Sequence, residues 1–519
     1  MQPPVLVDRP DPIDLMLAQE ESRLDWLLPV RHSRMAVSAF TFYRGTAVVM
    51  AADLARQPHS GVMVQLCGDA HLLNFGFYAS PERQLLFDLN DFDETHPGPF
   101  EWDVQRLAAS VVLAARDLNL SVKQQEKVCR RTVRTYAKAM AQFAAKPVLE
   151  MWVMQLDLER LLEEAESKTL QRHVQSLAAR ARQRNSRQAV SKLCEKDRSG
   201  ELRIRHDPPL IFRFSEFQGK WLDHNMSLDE WQHKMCQLYV SSIRPDLQVL
   251  FSHFRVFDSA FKAVGVGSVG TRCAIGLWVD QRGEEVLVLQ SKEAQPSVLA
   301  PYLNLPGPEH QGQRVVQGQR LMQTASDPFL GWTSTLAGDH YYWRQFRDWK
   351  LSVDVSLLDA EGLTEYGRLC AWTLAKAHAR SGDRGGALVD HHDGRTQVRQ
   401  ADQPALVGLA GADRGGVAKA VLQGLEAIGP LAPFGFGRVV RLREFTHPLD
   451  DVIGCRHLFH LLLGVEPAAR VVVTQGDDLG KRHGGVAQAG FFFHAPHHEP
   501  ARRGRGGIEV VALGIIAVQ

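Results

Sequence analysis

A carboxylate and a carboxamide lie five residues apart in Gly68-Asp69-Ala70-His71-Leu72-Leu73-Asn74, directly after the short apolar run VMVQLC. That run, ended by Gly68, predicts a strand. From Asn74 the pattern is apolar, then a turn signal at Ser80-Pro81-Glu82, then the strand-like LLFDL, which together predict a hairpin. A further carboxylate, Asp91, stands 17 residues beyond Asn74 in Asn90-Asp91-Phe92-Asp93-Glu94. The hairpin would bring Asn74 and Asp91 onto one ion, with Asp69 on the loop before it. Phosphoryl transfer needs such a set: a carboxylate that orients or deprotonates the acceptor hydroxyl, and oxygen ligands that hold Mg²⁺ against the ATP phosphates. Asp69 alone reads as a turn residue; with Asn74, Asp91 and the following Pro97-Gly98-Pro99 it reads as a site.

A second element lies far downstream. Val264-Gly265-Val266-Gly267-Ser268-Val269-Gly270-Thr271-Arg272 is flanked by strand patterns, and Lys292 ends the strand after the next turn at Gly283. A glycine-rich turn lets backbone N–H groups approach phosphates, and a lysine about twenty residues on can reach them. Gly265, Gly267, Ser268, Gly270 and Lys292 are therefore the candidate nucleotide-binding residues. A plain tight hairpin and a surface lysine are the bland alternatives.

The string G-D-x-H-x-x-N, an apolar strand and D-F-D is similar to the catalytic and metal loops of the aminoglycoside and choline kinase branch of the protein-kinase-like superfamily. More closely, RMAVSAFTFYRG, LCGDAHLLNFGFY, LNDFDETHPGPFEWDVQRLAAS, VGVGSVGTR, SKEAQPSVL, GQRVVQGQRLMQ and LAKAHARSGD resemble a bacterial family known as domain of unknown function 2252, over roughly residues 20 to 383. The kinase resemblance implies Asp69 as the base, Asn74 and Asp91 as metal ligands with Asp93 as a second candidate, and a structural Asp103. It also implies ATP and Mg²⁺ as cofactors. Kinases, however, present the glycine loop and lysine before the catalytic loop, and here Asp69 comes about two hundred residues earlier than Gly265. The expected fold is thus α+β, two-lobed and protein-kinase-like, circularly permuted, with many helices. Lys292 lacks an obvious acidic partner, because RVVQGQRLMQ carries Gln317 where one could stand; Glu293 and Glu309 are the substitutes. His71 is expected to brace its loop, and Arg44 to clamp a phosphate or carboxylate or to pair with the FDET segment. Asp88, Asp93 and Glu94 compete with Asp91 for the metal.

At 519 residues the chain is long enough for two or three lobes. The expected division is a catalytic-loop and helical portion at 1–245, a β-rich portion at 246–350, a closing helix at 351–383 and an atypical tail at 384–519. That tail is rich in Gly, Ala, Arg, His and Pro, and reads as a poorly ordered extension or as sequence from a shifted frame. A formal net charge of +1 gives no global reason to expect nucleic acid or an anionic membrane as partner. Seven scattered cysteines without a C-x-x-C argue for a reducing compartment and against structural zinc. With no signal-like start and no run of about 18 apolar residues, the expectation is a cytoplasmic protein. The expected partners are a nucleotide and an unidentified small-molecule or protein acceptor. Two other readings stand beside kinase-like phosphotransfer: an inactive nucleotide-binding module, and a metal-dependent phosphoesterase using Asp69, His71 and the Asp390-His391-His392-Asp393 run.

Overall fold

The computed structural model describes residues 10–382, except 165–166, 184–185, 217–225, 304, 306–307, 336 and 347–348; beyond 382 it describes only strand backbone at 389–390, 397–398, 487–489 and 514–516. Helix α1 (Pro12–Glu20) is capped by Asp11, whose carboxylate accepts from the Ile13 N–H at 2.8 Å. The sequence pattern predicts one helix from 13 to 28 closed by Pro29. Instead the chain bends after Glu20, and Pro29 lies in the first turn of α2 (Leu28–Met35), where its missing N–H costs no helical bond. Helices α3 (Ala39–Gly45) and α4 (Ala47–Leu54) follow, α3 held by a reciprocal Ser38–Thr41 capping box.

Strand β1 (Met63–Leu66) leads into the Asp69 loop, and β2 (Phe75–Ala79) with β3 (Leu85–Leu89) forms the expected hairpin in the register Phe75↔Leu89. β4 (His96–Pro99) pairs antiparallel with β1. Its two prolines cannot donate to a ladder, and they are tolerated because the pair has only two strands. A long helical stretch comes next: α5 (Phe100–Asp117), α6 (Val122–Ala144), α7 (Val148–Val153), α8 (Leu158–Glu164), α9 (Lys168–Arg182) and α10 (Ser186–Leu193).

After the small β5 (Cys194–Lys196) and β6 (Leu202–Ile204) hairpin come β7 (Ile211–Arg213), α11 (Leu228–Ser242) and α12 (Pro245–Phe251). Then β8 (Phe254–Lys262), β9 (Cys273–Asp280) and β10 (Val286–Glu293) precede α13 (Gln311–Met322), β11 (Gly331–Ser334) and β12 (His340–Gln345). These strands form one six-stranded antiparallel sheet in the order β11-β12-β10-β9-β8-β7. Alternation along β9 covers both faces: Ile275 and Leu277 pack with Ala189 and Leu193 of α10, while Trp278 packs with Tyr239 of α11 and Phe251 of α12.

The largest core lies below the sheet, where α5, α6 and α14 (Ala360–Ser381) surround the β2–β3 hairpin. Phe87 is its pivot, edge-on to Phe77 at 5.3 Å and to Tyr366 of α14 at 6.2 Å between ring centroids. The hairpin is tied to the segment after β12 through Phe77 and Leu351, which exchange backbone hydrogen bonds of 2.7 and 3.0 Å. The fold is thus mixed α and β with many helices. Among the described residues no helix is long and apolar enough to cross a membrane.

Candidate active site

The Asp69 loop is held from below by side chains of α5 and α14. The Asp103 carboxylate accepts from the N–H groups of Cys67 at 2.7 Å and Gly68 at 3.0 Å, and His378 meets it at 3.2 Å. Ser110 Oγ accepts from the Leu72 N–H at 3.1 Å, and the Tyr366 hydroxyl donates to the Leu72 carbonyl at 2.9 Å. Gly68 is required where it stands: its φ is +81°, and a Cβ would lie 2.1 Å from the Glu94 carbonyl oxygen. His71 braces the loop as expected, its Nδ1 accepting from the Leu73 N–H at 3.2 Å. Burial, helped by the charges of Arg44 and Arg106, lowers the His71 pKa to about 3, so its imidazole is neutral.

Asp69 is paired with Arg106, whose Nε and Nη2 lie 2.8 and 2.7 Å from Oδ1. The guanidinium also stacks on the Tyr43 ring at 3.8 Å and donates to the Tyr43 carbonyl. Burial works against ionisation of Asp69, but Arg106, aided by Arg44, outweighs it and holds the carboxyl below its ordinary range. Asn74 turns its amide nitrogen to the Asp69 carbonyl at 2.6 Å, which leaves its side-chain oxygen as the available ligand atom.

Asp91 and Asp93 have different environments although they are two residues apart. Asp91 Oδ1 is buried with no hydrogen-bond partner. Burial opposes its charge, and Lys292, Arg344 and Lys350 overcome that opposition, so its pKa is lowered. The Asp93 carboxylate, expected as a second metal ligand, is engaged on both oxygens: Oδ2 by Lys292 and by Ser268 Oγ at 3.1 Å, Oδ1 by the Tyr342 hydroxyl at 2.6 Å. Asp93 is also the acidic partner that Lys292 lacks in the sequence. Glu293 instead pairs with Arg272 at 2.8 Å, and Glu309 is exposed. Asp88 pairs with Lys376 in the core below. Arg314 of α13 fixes the segment by donating to the carbonyls of Thr95, Asp93 and Gln295 at 2.5, 2.9 and 2.8 Å.

The glycine loop closes over this floor, and its carbonyls are gripped by arginines of the N-terminal segment. Arg23 donates to the Val269 carbonyl at 2.6 Å, Arg31 to Gly267 at 2.7 Å and Arg34 to Gly265 at 2.6 Å. Gly265 and Gly270 both have positive φ, a backbone conformation that glycine adopts at little cost. Between loop and floor lies a cavity of about 170 Å³ whose lining includes Arg44, Asp69, Asn74, Asp91, Gly265 and Ser268. Glu94 also lines it, its carboxyl raised to about 7 by burial. Catalytic-loop, hairpin and glycine-loop candidates thus meet in one place, with Lys292 entering through Asp93.

Residues 23–412 match the model of a family described as an uncharacterized protein conserved in bacteria, DUF2252. The chain belongs to the DUF2252 family. No curated protein and no solved structure matches it. The DUF2252 match takes in every element that lines the cavity except α1, and it continues past the LAKAHARSGD motif to residue 412. The 390–393 run lies outside the described residues except for the backbone of Asp390. Among the described residues, no group of three or more His, Cys, Asp or Glu side chains is placed to hold a metal ion.

Several residues of this DUF2252 site escape a reading of the sequence. Arg106 and Arg314 sit on helical patterns that give no hint of what they reach, and Tyr342 lies in an aromatic strand. Arg31 and Arg34 offer a faint signal, since i and i+3 share a helix face. Their partners on the glycine loop are more than two hundred residues away.

Proposed function

We propose that this chain is an ATP- and Mg²⁺-dependent phosphotransferase with a kinase-like site. The observation that carries the reading is the meeting of Asp69, Asn74 and Asp91 with the glycine loop around one cavity, from segments two hundred residues apart, with Lys292 behind the lining, paired with Asp93 and 3.9 Å from Asp91 Oδ1. The order β8, glycine loop, β9, β10 with its lysine, α13, β11 and β12 also supports it. In kinases a glycine-rich loop covers the phosphates, and a strand lysine is positioned by a following helix. Here the same parts follow the catalytic loop in permuted order.

The donor set suits magnesium. Asp91 Oδ1 is buried without a hydrogen bond, its ion-pair partner Lys292 standing off at 3.9 Å, and with the Asn74 side-chain oxygen it offers hard ligands of the kind Mg²⁺ takes in ones and twos beside substrate phosphates. Bound there, the ion would supply charge neutralisation for the phosphates. Asp69, held charged by its surroundings, would orient the acceptor hydroxyl more than it strips the proton. Lys292, kept protonated by Asp91 and Asp93 against its burial, would supply fixed positive charge. The glycine loop, whose Gly265, Gly267 and Val269 carbonyls are held by three arginines, would offer a phosphate the N–H groups left over by its internal Val269 and Thr271 bonds. Positioning and electrostatics of this sort are most of what phosphoryl transfer asks of a protein.

A second reading, nucleotide binding without turnover, draws on one feature: Asp93 and Arg106 already engage Lys292 and Asp69. Thermal unfolding of the purified chain with and without Mg-ATP, beside Asp91→Ala, tests the proposal. Ligand at ~100 times its Kd adds about 2.7 kcal/mol, a visible shift in the melting curve. Stabilisation of the wild type but not of Asp91→Ala is expected, and no shift with any nucleotide or metal would overturn the proposal. Stabilisation without phosphate release or transfer would select the second reading.

A further inference from the structure

We propose that the cavity wall built by the N-terminal helices is an oxyanion-binding half-site for the acceptor, with Arg44 as its main donor and Arg23 as a second. Calling that ligand the acceptor rests on the phosphotransferase reading; the oxyanion site itself does not. Arg44 and Arg23 both line the cavity, and the Nε of each is buried with no hydrogen-bond partner. A buried donor left unmatched is unfavourable, so two of them on one cavity mark where ligand oxygens belong. Other arginines nearby have partners: Arg31 has Glu20 and the loop carbonyls, Arg34 has Gly265, and Arg106 has Asp69.

Arg44 marks the acceptor side of the cavity, and Arg23 bridges that side to the glycine loop. Lys292 and the glycine loop supply charge and N–H groups for the nucleotide phosphates, whereas Arg44 projects from the helix packed over Asp69, the residue that faces an acceptor hydroxyl. Its backbone is fixed. The α3 capping box sets the helix, and the Gly45 carbonyl next to it accepts from Arg31 Nη2 at 2.6 Å. Arg23 is 8% exposed and is anchored through Nη1 to the Val269 carbonyl. A planar guanidinium matches the paired oxygens of a phosphate or carboxylate, which a lysine does not reproduce. The two guanidiniums therefore fit a hydroxy compound bearing a phosphate or a carboxylate.

Calorimetric titration of the full chain with glycerol 3-phosphate, glycerate and glycerol, each with and without Mg-ADP, tests this. One or both oxyanions should bind the wild type and glycerol should not. Arg44→Gln should weaken the oxyanion by about tenfold or more, as loss of a charge-assisted bond does. Arg44→Lys should restore only part, and Arg23→Gln should show a smaller loss, which keeps the test intact if Arg44→Gln fails to fold. Failure of both oxyanions to bind the wild type, or equal binding by both glutamine variants, overturns the proposal. So does a loss of Mg-ADP affinity in Arg44→Gln that matches the loss of oxyanion, because Arg44 would then serve the nucleotide. If Mg-ADP does not bind the wild type but an oxyanion binds in an Arg44-dependent way, the phosphotransferase reading falls and the oxyanion site stands.

Discussion

Lys292, at the end of β10, meets the carboxylate of Asp93 across the cavity floor while the Tyr342 hydroxyl holds the other oxygen of the same carboxylate at 2.6 Å. The lysine is 2% exposed and loses its water when the site forms, while Asp93 stays partly exposed. Replacing it with methionine would leave Asp93 paired only with hydroxyls and would remove the nearest cation from Asp91. Lys292→Met should cost about 3 kcal/mol in urea unfolding, the scale of a buried ion pair broken from one side. The double variant Lys292→Met/Asp93→Asn should recover part of that loss. Full additivity of the two single losses would show that the pair is not coupled.

Asp69 is held by Arg106 rather than left free to titrate, and this sets the outcome of its replacement. Asp69→Asn keeps an acceptor for the guanidinium and removes the charge that faces the acceptor hydroxyl. Turnover should fall by about 10²–10⁴-fold, the range for loss of a positioned acid–base group. Stabilisation by Mg-ATP should persist, because Asn74, Asp91 and Lys292 are untouched. Wild-type turnover in this variant would remove Asp69 from its assigned role.

Which parts of this architecture were legible in the sequence follows from the range of the interactions. The β2–β3 hairpin, the strands flanking the glycine loop and α14 are each fixed by local pattern, and periodicity with a turn signal is enough to place them. Pairing of β1 with β4 is not legible, because Pro97 and Pro99 argue locally against a strand and only Leu66 and its neighbours provide the partner. The break in the first helix is also tertiary. Pro29 is compatible with ending one helix or starting another, and packing of Leu24 and Leu27 against Val269 favours the second. At the site, residue types and spacing marked Asp69, Asn74 and Asp91. The role of Asp93 depended on a lysine 199 residues away, which no local pattern encodes.

Glu20 links the N-terminal helices to the glycine loop. Its Oε1 lies 2.8 Å from His32 Nε2 and 3.3 Å from the Nε of Arg31, the arginine that grips Gly267. Burial works against its charge, yet His32 and Arg31 hold its pKa below the ordinary value of 4.5. For a carboxyl depressed in the folded state, the unfolded chain binds the proton more readily. The stabilisation is therefore complete above 4.5 and is lost as pH falls through the lower folded value. Glu20→Gln should cost on the order of 1–3 kcal/mol at pH 7, as expected for a hydrogen bond to a buried charge. The gap between wild type and variant should close in unfolding curves taken below pH 4.5. A gap unchanged down to pH 3 would mean that Glu20 acts through packing alone.

Beneath the hairpin, Lys376 of α14 is fully buried against Asp88 of β3, which is 2% exposed. Helix α14 thereby carries a charge into the apolar core that supports the Asp69 loop, and the pair is worth less than its burial suggests because both ions were desolvated to make it. Lys376→Met should destabilise by about 3–5 kcal/mol, since it leaves Asp88 ionised or forces it to take up a proton. Lys376→Met/Asp88→Leu should regain most of that loss in urea unfolding. Because Tyr366, nearly three turns earlier on the same helix, still holds the Leu72 carbonyl, the double variant should keep the Mg-ATP stabilisation of the wild type. A double variant that stays as unstable as Lys376→Met would mean that the buried pair specifies the packing of α14 on the hairpin.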